Sequence, residues 1–294
     1  MIISASYRTD IPAFYGPWFL NRLKAGFVEV TNPYGGPVSR VDLRPEAVDG
    51  IILWTRNLAP LLPRLEAVRA VAPVVVQYTV LGYPAVLDRS VVAPERSVEV
   101  LQRLASDHGP RVGVWRYDPI VLTSLTPPAW HVETFGRLSE ALRGAVDEVV
   151  VSFVQIYRKT RRNLDRAAAE CFTPQCFTWN TPEDAEKQAL LRTLAPIATA
   201  NGQRLTLCAQ ADLLLPGVEE AACIDPHRLA DVGGSPLSAP AKPHRKTCRC
   251  AQSRDIGAYD TCPHGCAYCY AVQSRDRAKA LYQAHDSMAA QLGR

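Results

Sequence analysis

An α/β fold built on a parallel sheet, a complete or partial (β/α) TIM-like barrel with a C-terminal cysteine-rich segment, is what this 294-residue sequence predicts. Three observations predict it. Short apolar runs rich in β-branched residues recur at 2–6, 27–31, 50–54, 73–79, 111–116, 148–153 and 204–209. Their lack of polar alternation marks strands covered on both faces. Segments with helical spacing lie between them at 58–71, 93–108, 129–143 and 183–200. Polar residues follow the runs at their C-terminal ends, and such a rim favours a barrel, which draws its site from many strands, over a doubly wound sheet with one switch point.

Taken in order, the first run leads into Ser4, Ser6, Arg8 and Asp10, and the second into Asn32. The third ends in Trp54-Thr55-Arg56-Asn57, and the helical stretch 58–71 follows it. The fourth ends in Gln77-Tyr78, the fifth in Arg116-Tyr117-Asp118, the sixth in Ser152 with Gln155 beyond, and the seventh at Cys208. Several of the intervening helices open on Pro, or on Thr-Pro and Asn-Thr-Pro, where the fixed φ of proline suits the first turn. No eighth strand is legible, so an incomplete barrel and closure by the C-terminal segment both stay open. No Gly-rich phosphate loop follows the first strand, and there is no internal repeat beyond the βα rhythm.

From Ala222 the texture changes, as Pro236, Pro240 and Pro243 interrupt the pattern. Residues 1–221 are therefore expected to form the barrel, and 222–294 a cysteine-rich segment with a closing helix. That helix is placed at 271–292, where Ala280, Leu281, Ala284, Met288 and Leu292 supply an apolar face.

The chain is 47% hydrophobic and 21% charged, enough to bury one sizeable core. There is no apolar stretch of about 18 residues and no basic, apolar leader at the N-terminus, so a soluble cytoplasmic protein without a membrane partner is expected. The net charge of +4 is spread along the chain and neither requires nor excludes nucleic acid. Five of the nine cysteines crowd into 248–269, which in a reducing compartment argues for metal ligation over a disulfide framework.

Cys262, Cys266 and Cys269 stand in the run Cys-Pro-His-Gly-Cys-Ala-Tyr-Cys-Tyr. Three thiolates at this spacing, with no fourth cysteine in the loop, suit a [4Fe–4S] cluster with one open iron, the signature of radical S-adenosylmethionine (SAM) enzymes. Cys208, Cys223, Cys248 and Cys250 make a second set of four, the number that closes another iron–sulfur cluster or a tetrahedral zinc. Cys171 and Cys176 are read as non-ligands, and His264 as a solvent-facing residue of the loop.

Matching passages run through the chain: Ile3-Ser4-Ala5-Ser6, Arg8-Thr9-Asp10-Ile11-Pro12, Asn32-Pro33, Trp54-Thr55-Arg56-Asn57, Gln77-Tyr78-Thr79 and Trp115-Arg116-Tyr117-Asp118-Pro119-Ile120. They continue with Cys223-Ile224-Asp225, Cys248-Arg249-Cys250 and Ser253-Arg254-Asp255-Ile256-Gly257 before the cysteine loop. In these the sequence resembles the bacterial family called domain of unknown function 1848, noted for a C-terminal cysteine cluster like that of radical-SAM enzymes. The resemblance implies a barrel, a cluster and a radical mechanism, and no particular reaction. Arg56 departs from it where lysine is more often expected, so amine chemistry at that position is not carried over. The loop follows the last strand here, whereas ordinary radical-SAM enzymes carry it after the first.

Candidate catalytic residues are Arg8, Asp10, Arg116 and Asp118, where arginines would grip a carboxylate and aspartates orient hydroxyls or an amine. The bland reading of the same four is a pair of structural salt bridges. Tyr268, Asn32, Trp54, Arg56, Gln77 and Tyr78 are candidate cofactor contacts. The expectation is an atypical radical-SAM enzyme using a [4Fe–4S] cluster, or two, and SAM on a small molecule or modified residue, with flavodoxin or ferredoxin as electron donor. An iron–sulfur lyase or dehydratase without SAM, a zinc-stabilised binding module and a nucleic-acid lesion repair protein are the alternatives.

Overall fold

A computed structural model describes residues 1–32, 35–170, 176–243, 245 and 247–293. Its main sheet takes strands from across the chain: β1 (Ile2–Ala5), β4 (Gly50–Thr55), β5 (Val74–Thr79), β6 (Gly113–Ile120), β7 (Glu148–Phe153), β8 (Arg204–Leu207), β9 (Glu219–Glu220) and β10 (Ser253–Asp255). All neighbours are parallel, in the order β10-β1-β4-β5-β6-β7-β8-β9. The strand read at 27–31 is real but lies elsewhere. It is β2 (Phe27–Val30), which pairs antiparallel with β3 (Ser39–Asp42) in a separate two-stranded ribbon. Two short strands take its place in the large sheet. One of them, β10, comes from beyond residue 222, so the sheet draws on both sides of the expected domain boundary.

The helices are α1 (Ile11–Phe14), α2 (Gly16–Ala25), α3 (Leu65–Arg69), α4 (Pro94–His108), α5 (Pro128–Ala141), α6 (Arg158–Ala169), α7 (Asp184–Ala200), α8 (Pro226–Gly233) and α9 (Arg275–Gln283). Pro60 and Pro63 keep most of 58–71 out of a regular helix, which starts only at Leu65. The expected closing helix is also shorter, ending at Gln283. Asp286 then accepts from the Met288 amide at 2.8 Å, a local turn that competes with helix. Beyond it the chain runs against α2, where Trp18 Nε1 donates to the Ala289 carbonyl at 2.9 Å. Met288, expected on the packed face, is 64% exposed. No helix among the described residues is long and apolar enough to cross a membrane.

The two faces of the sheet have different neighbours because side chains alternate along each strand. Ile3, Leu53, Val76, Trp115, Val151 and Leu205 point into the larger core, packed with Leu101, Leu104, Phe135, Leu138, Leu191 and Leu194 from the helices. On the opposite face Ile2, Ile52, Val75, Val114 and Val150 form one apolar layer, joined by Leu229 of α8. Asp225 caps α8 by accepting from the His227 amide, and Arg228 ties the helix to Asp147 and Glu148 at the start of β7. One end of this face is thereby covered by α8. Two residues further along the same face stand Ser4, Trp54, Gln77, Arg116 and Ser152, and past β8, Cys208. The apolar floor and polar upper layer direct the site to the C-terminal ends of the strands.

Candidate metal and substrate site

Over those strand ends lies a cavity of about 1070 Å³. Among the residues lining it are Cys208, Cys223, Cys248, Cys250, Cys262, Cys266 and Cys269, so both cysteine sets face one space. Arg8, Asp10, Asn32, Trp54, Arg56, Arg116, Asp118 and Tyr268 line it as well.

The loop of three cysteines is bolted down on two sides. The Ala267 amide donates to the Leu87 carbonyl at 2.8 Å and the Ser90 amide to the His264 carbonyl at 3.0 Å, fixing the loop to the segment after β5. Tyr15 in turn donates its hydroxyl to the Thr261 carbonyl at 2.7 Å, fixing it to the start of α2. Gly265 allows the turn between His264 and Cys266, with φ at +76° and a hypothetical Cβ only 2.6 Å from the Arg275 side chain. His264, expected in solvent, is buried, because its Nε2 reaches the Asp10 carboxylate at 2.8 Å and its ring packs edge-on to Phe14.

Asp10 is occupied on every side. It caps α1 by accepting from the Ala13 amide at 3.0 Å, and accepts from the Thr55 hydroxyl and the Arg56 amide at 2.7 Å each. Together with the bond from His264, these contacts clamp the ends of β1 and β4 to the cysteine loop. Arg56 is engaged too: it makes a bidentate pair with Asp88 at 2.6 and 2.8 Å, and donates to Cys266 Sγ at 3.1 Å and to the Tyr268 hydroxyl. Tyr268 closes the network by donating to Asp88 at 2.7 Å.

The set of four gathers where β8, β9 and β10 end or begin. Cys223 and Cys208 sulfurs lie 3.4 Å apart, and the Cys250 amide lies 3.4 Å from Cys248 Sγ. Arg116 donates to Cys223 Sγ at 3.0 Å, to Gln77 at 3.1 Å and to Asp118 at 2.6 Å, and its guanidinium lies over Trp54. Asp118 also accepts from the Ser152 hydroxyl. Gln77 is a buttress beneath the cavity, donating to the Cys223 carbonyl at 3.0 Å. Tyr78 points the other way: its hydroxyl accepts from the Leu58 amide at 3.3 Å on the helix side of the sheet, and it does not line the cavity. Cys176 is exposed and away from the cavity, and Cys171 lies outside the described residues.

Burial raises the three thiols of the loop above the ordinary range. It pushes Cys262 up to about 12, with nearby Asp10 adding to the effect, and drives Cys266 well above the ordinary thiol range. At Cys223 the Cys208 contact lowers the value, but the hydrogen bond with Cys250 and burial outweigh it and bring the thiol to about 11. A metal taking these ligands would have to displace their protons. Among the described residues, no group of three or more His, Cys, Asp or Glu is arranged to hold a metal ion. The fit of a cluster rests instead on the donor chemistry, seven thiols on a cavity with room beside them, since each thiolate of a cube takes a different iron.

Two participants escaped sequence reading. Asp88 follows β5 in a loop without any periodic signal, and its role shows only in its contact with Arg56. Asp255 is a hub, accepting from Ser4 at 2.9 Å, Ser6 at 2.8 Å, the Tyr7 amide at 3.1 Å and the Gly257 amide at 3.0 Å, and pairing with Arg8. Its position in Ser-Arg-Asp-Ile-Gly was a signal, read only as resemblance. Compared with known proteins, residues 2–271 match a family model described as Domain of unknown function (DUF1848). No curated protein and no solved structure matches the chain.

Proposed function

We propose, from the premise that this chain belongs to the family described as Domain of unknown function (DUF1848), that it is an iron–sulfur enzyme of atypical radical-SAM type acting on a polar small molecule or modified residue. The observation that carries the reading is the convergence of seven cysteines, three in a loop of cluster spacing, on one cavity at the C-terminal strand ends. We read the sheet as a (β/α) barrel. Its strand order is the sequence order rotated by one place, without the reversal a doubly wound sheet needs. The Ala251 amide also donates to the Ile224 carbonyl at 3.0 Å between the two edges.

Cys262, Cys266 and Cys269 would hold a [4Fe–4S] cluster, which when bound supplies one-electron cleavage of SAM and hence hydrogen abstraction. The chain's own residues do the rest. Arg56 directs an N–H at Cys266 and so orients that ligand and biases its electron density. The apolar layer below excludes water, and Arg116, held by Asp118 and Gln77, presents fixed positive charge beside Cys223. A flavodoxin or ferredoxin would deliver the electron.

For the second set, one observation favours zinc over iron. The 3.4 Å between Cys208 and Cys223 sulfurs approaches the roughly 3.8 Å edge of a tetrahedral zinc–thiolate site. Anaerobic purification followed by iron, sulfide and zinc analysis separates the cases: about seven to eight irons per chain for two clusters, about four with one zinc for a mixed protein. Release of 5′-deoxyadenosine from SAM by the reduced protein is the expected activity. None after full reconstitution would leave an iron–sulfur lyase or dehydratase, and a colourless protein with zinc alone would sink both enzyme readings.

A further inference from the structure

The cavity carries more positive charge than its own acids balance. Arg8, Arg56 and Arg116 each have an aspartate partner, at Asp255, Asp88 and Asp118. Arg158, Lys159 and Arg245 also line the cavity, and none of them makes an ion pair with an acid among the described residues. Lys159 lies 5.1 Å from the centre of the Tyr259 ring, and the electrostatic neighbours of Arg245 are Tyr157, Cys208, Tyr270 and, without a direct ion pair, Asp118, whose carboxylate is already held by Arg116.

Two of these cations open α6, which is unusual chemistry for that position. The start of a helix carries partial positive charge and unpaired N–H groups, and normally attracts acidic or capping side chains. Here the first turn has no acid, and the N-cap residue Tyr157 makes no side-chain cap. Thr160, in the same turn, is fully buried and lines the cavity, yet its Oγ1 has no hydrogen-bond partner; the same holds for Thr9, 5% exposed, in the cavity wall. Unpaired cations, bare helical N–H groups and unpartnered hydroxyls are together the complement of an oxyanion with several acceptor atoms.

We infer that the substrate carries a phosphate group, seated between the N-terminus of α6 and Arg245. The inference rests on the reading of this cavity as the active site and names its substrate class. Asp10 and Asp260 also line the cavity, but Asp10 is turned to His264 and Asp260 accepts from the Gln273 amide, so a phosphate dianion with its tetrahedral oxygens matches the three cations better than a carboxylate with one charge. The cations line a cavity rather than a stripe along the surface, which favours a small phosphorylated molecule over nucleic acid.

The test is titration of the anaerobically purified, iron-loaded full-length protein with inorganic phosphate and pyrophosphate, followed by calorimetry and ³¹P line broadening. Saturable binding is expected. The double variant Lys159→Gln/Arg245→Gln should weaken it at least tenfold, with iron per chain and the cluster's paramagnetic spectrum unchanged. Arg158 is exposed, so Arg158→Gln repeats the measurement at a site that cannot threaten folding, with a loss of several-fold. If the cations serve instead to balance thiolate charge, the double variant will lose iron or shift the spectrum while phosphate affinity stays the same, and the proposal falls. It falls equally if phosphate does not bind, if citrate binds as well as phosphate, or if an oligonucleotide binds through these residues when free phosphate does not. Absence of iron and sulfide after anaerobic purification would refute the cluster, and phosphate binding by that same protein would keep the anion site, so the two readings fail separately.

Discussion

Arg56 and Asp88 are buried together beside Cys266, with side chains 11% and 4% exposed. Removing one partner leaves the other charge without compensation, so Arg56→Gln should cost about 3–5 kcal/mol, read from the urea midpoint. Arg56→Lys should recover only part of this, since one ammonium cannot reproduce the two-pronged bond to Asp88. A glutamine variant as stable as the parent would remove the clamp from the argument. His131 gives the matching prediction in pH. Its Nδ1 accepts from the Tyr117 hydroxyl at 2.9 Å and its Nε2–H donates to the Val121 carbonyl, and burial holds it down at about 4 against an ordinary 6.5. Between those values the unfolded chain binds a proton that the folded chain refuses. Its contribution is therefore complete above pH 6.5 and is lost as pH falls toward 4, by about 3 kcal/mol. The stability gap between the parent and His131→Gln should narrow over that window, and a constant gap would overturn the assignment. The seven cysteines were legible as candidates because their crowding and spacing show in the sequence, and the fold adds that all seven line one cavity. Asp88 and the burial of His264 were not, because each depends on a loop meeting another loop far away in sequence.

At the level of elements, the strands of the large sheet that are legible in the sequence are those with apolar, mostly β-branched runs, β1 and β4 to β8. The strand at 27–31 was also found, but its partner was not, since an apolar run does not say which sheet it joins. β9 and β10 span two and three residues, mostly charged or polar, and too short for any period to show. What holds β10 is Asp255, with its four donors and Arg8, and the bend that follows at Gly257. A Cβ there would lie 2.0 Å from Ser6 Oγ and 2.5 Å from Ser6 Cβ. Ser6 cannot withdraw without breaking its own bond to Asp255. Gly257→Ala should therefore cost about 1–3 kcal/mol. Because the cysteine loop begins five residues later, it should also lower iron per chain. Normal stability and iron content in this variant would mean that the β1–β10 junction does not position the loop.

On the scale of the whole molecule, the sheet has a seam, and the second cysteine set lies on it. β9 and β10 are its edges, and among the described residues a backbone hydrogen bond, Ala251 to Ile224, and an ion pair of 3.3 Å between Arg249 and Glu220 run between their flanking segments. Cys208 follows β8, Cys223 follows β9, and Cys248 and Cys250 precede β10, so one metal group held by all four would cross-link both edges. Such a group binds the folded chain far better than the unfolded one, and its binding energy becomes folding energy localised at the seam. Removing it with a strong chelator should lower the melting midpoint by roughly 5 °C or more. Amide exchange should rise first at 219–224 and 248–256 while the centres of β4, β5 and β6 stay protected. Cys248→Ser with Cys250→Ser should reproduce this pattern, whereas Cys262→Ser should leave the seam protected and affect only the loop. Uniform loss of protection across all strands would show that the four cysteines do not close the sheet. A sequence cannot display this relation, because the four residues span 43 positions and are brought to one cavity by segments that end or precede three different strands.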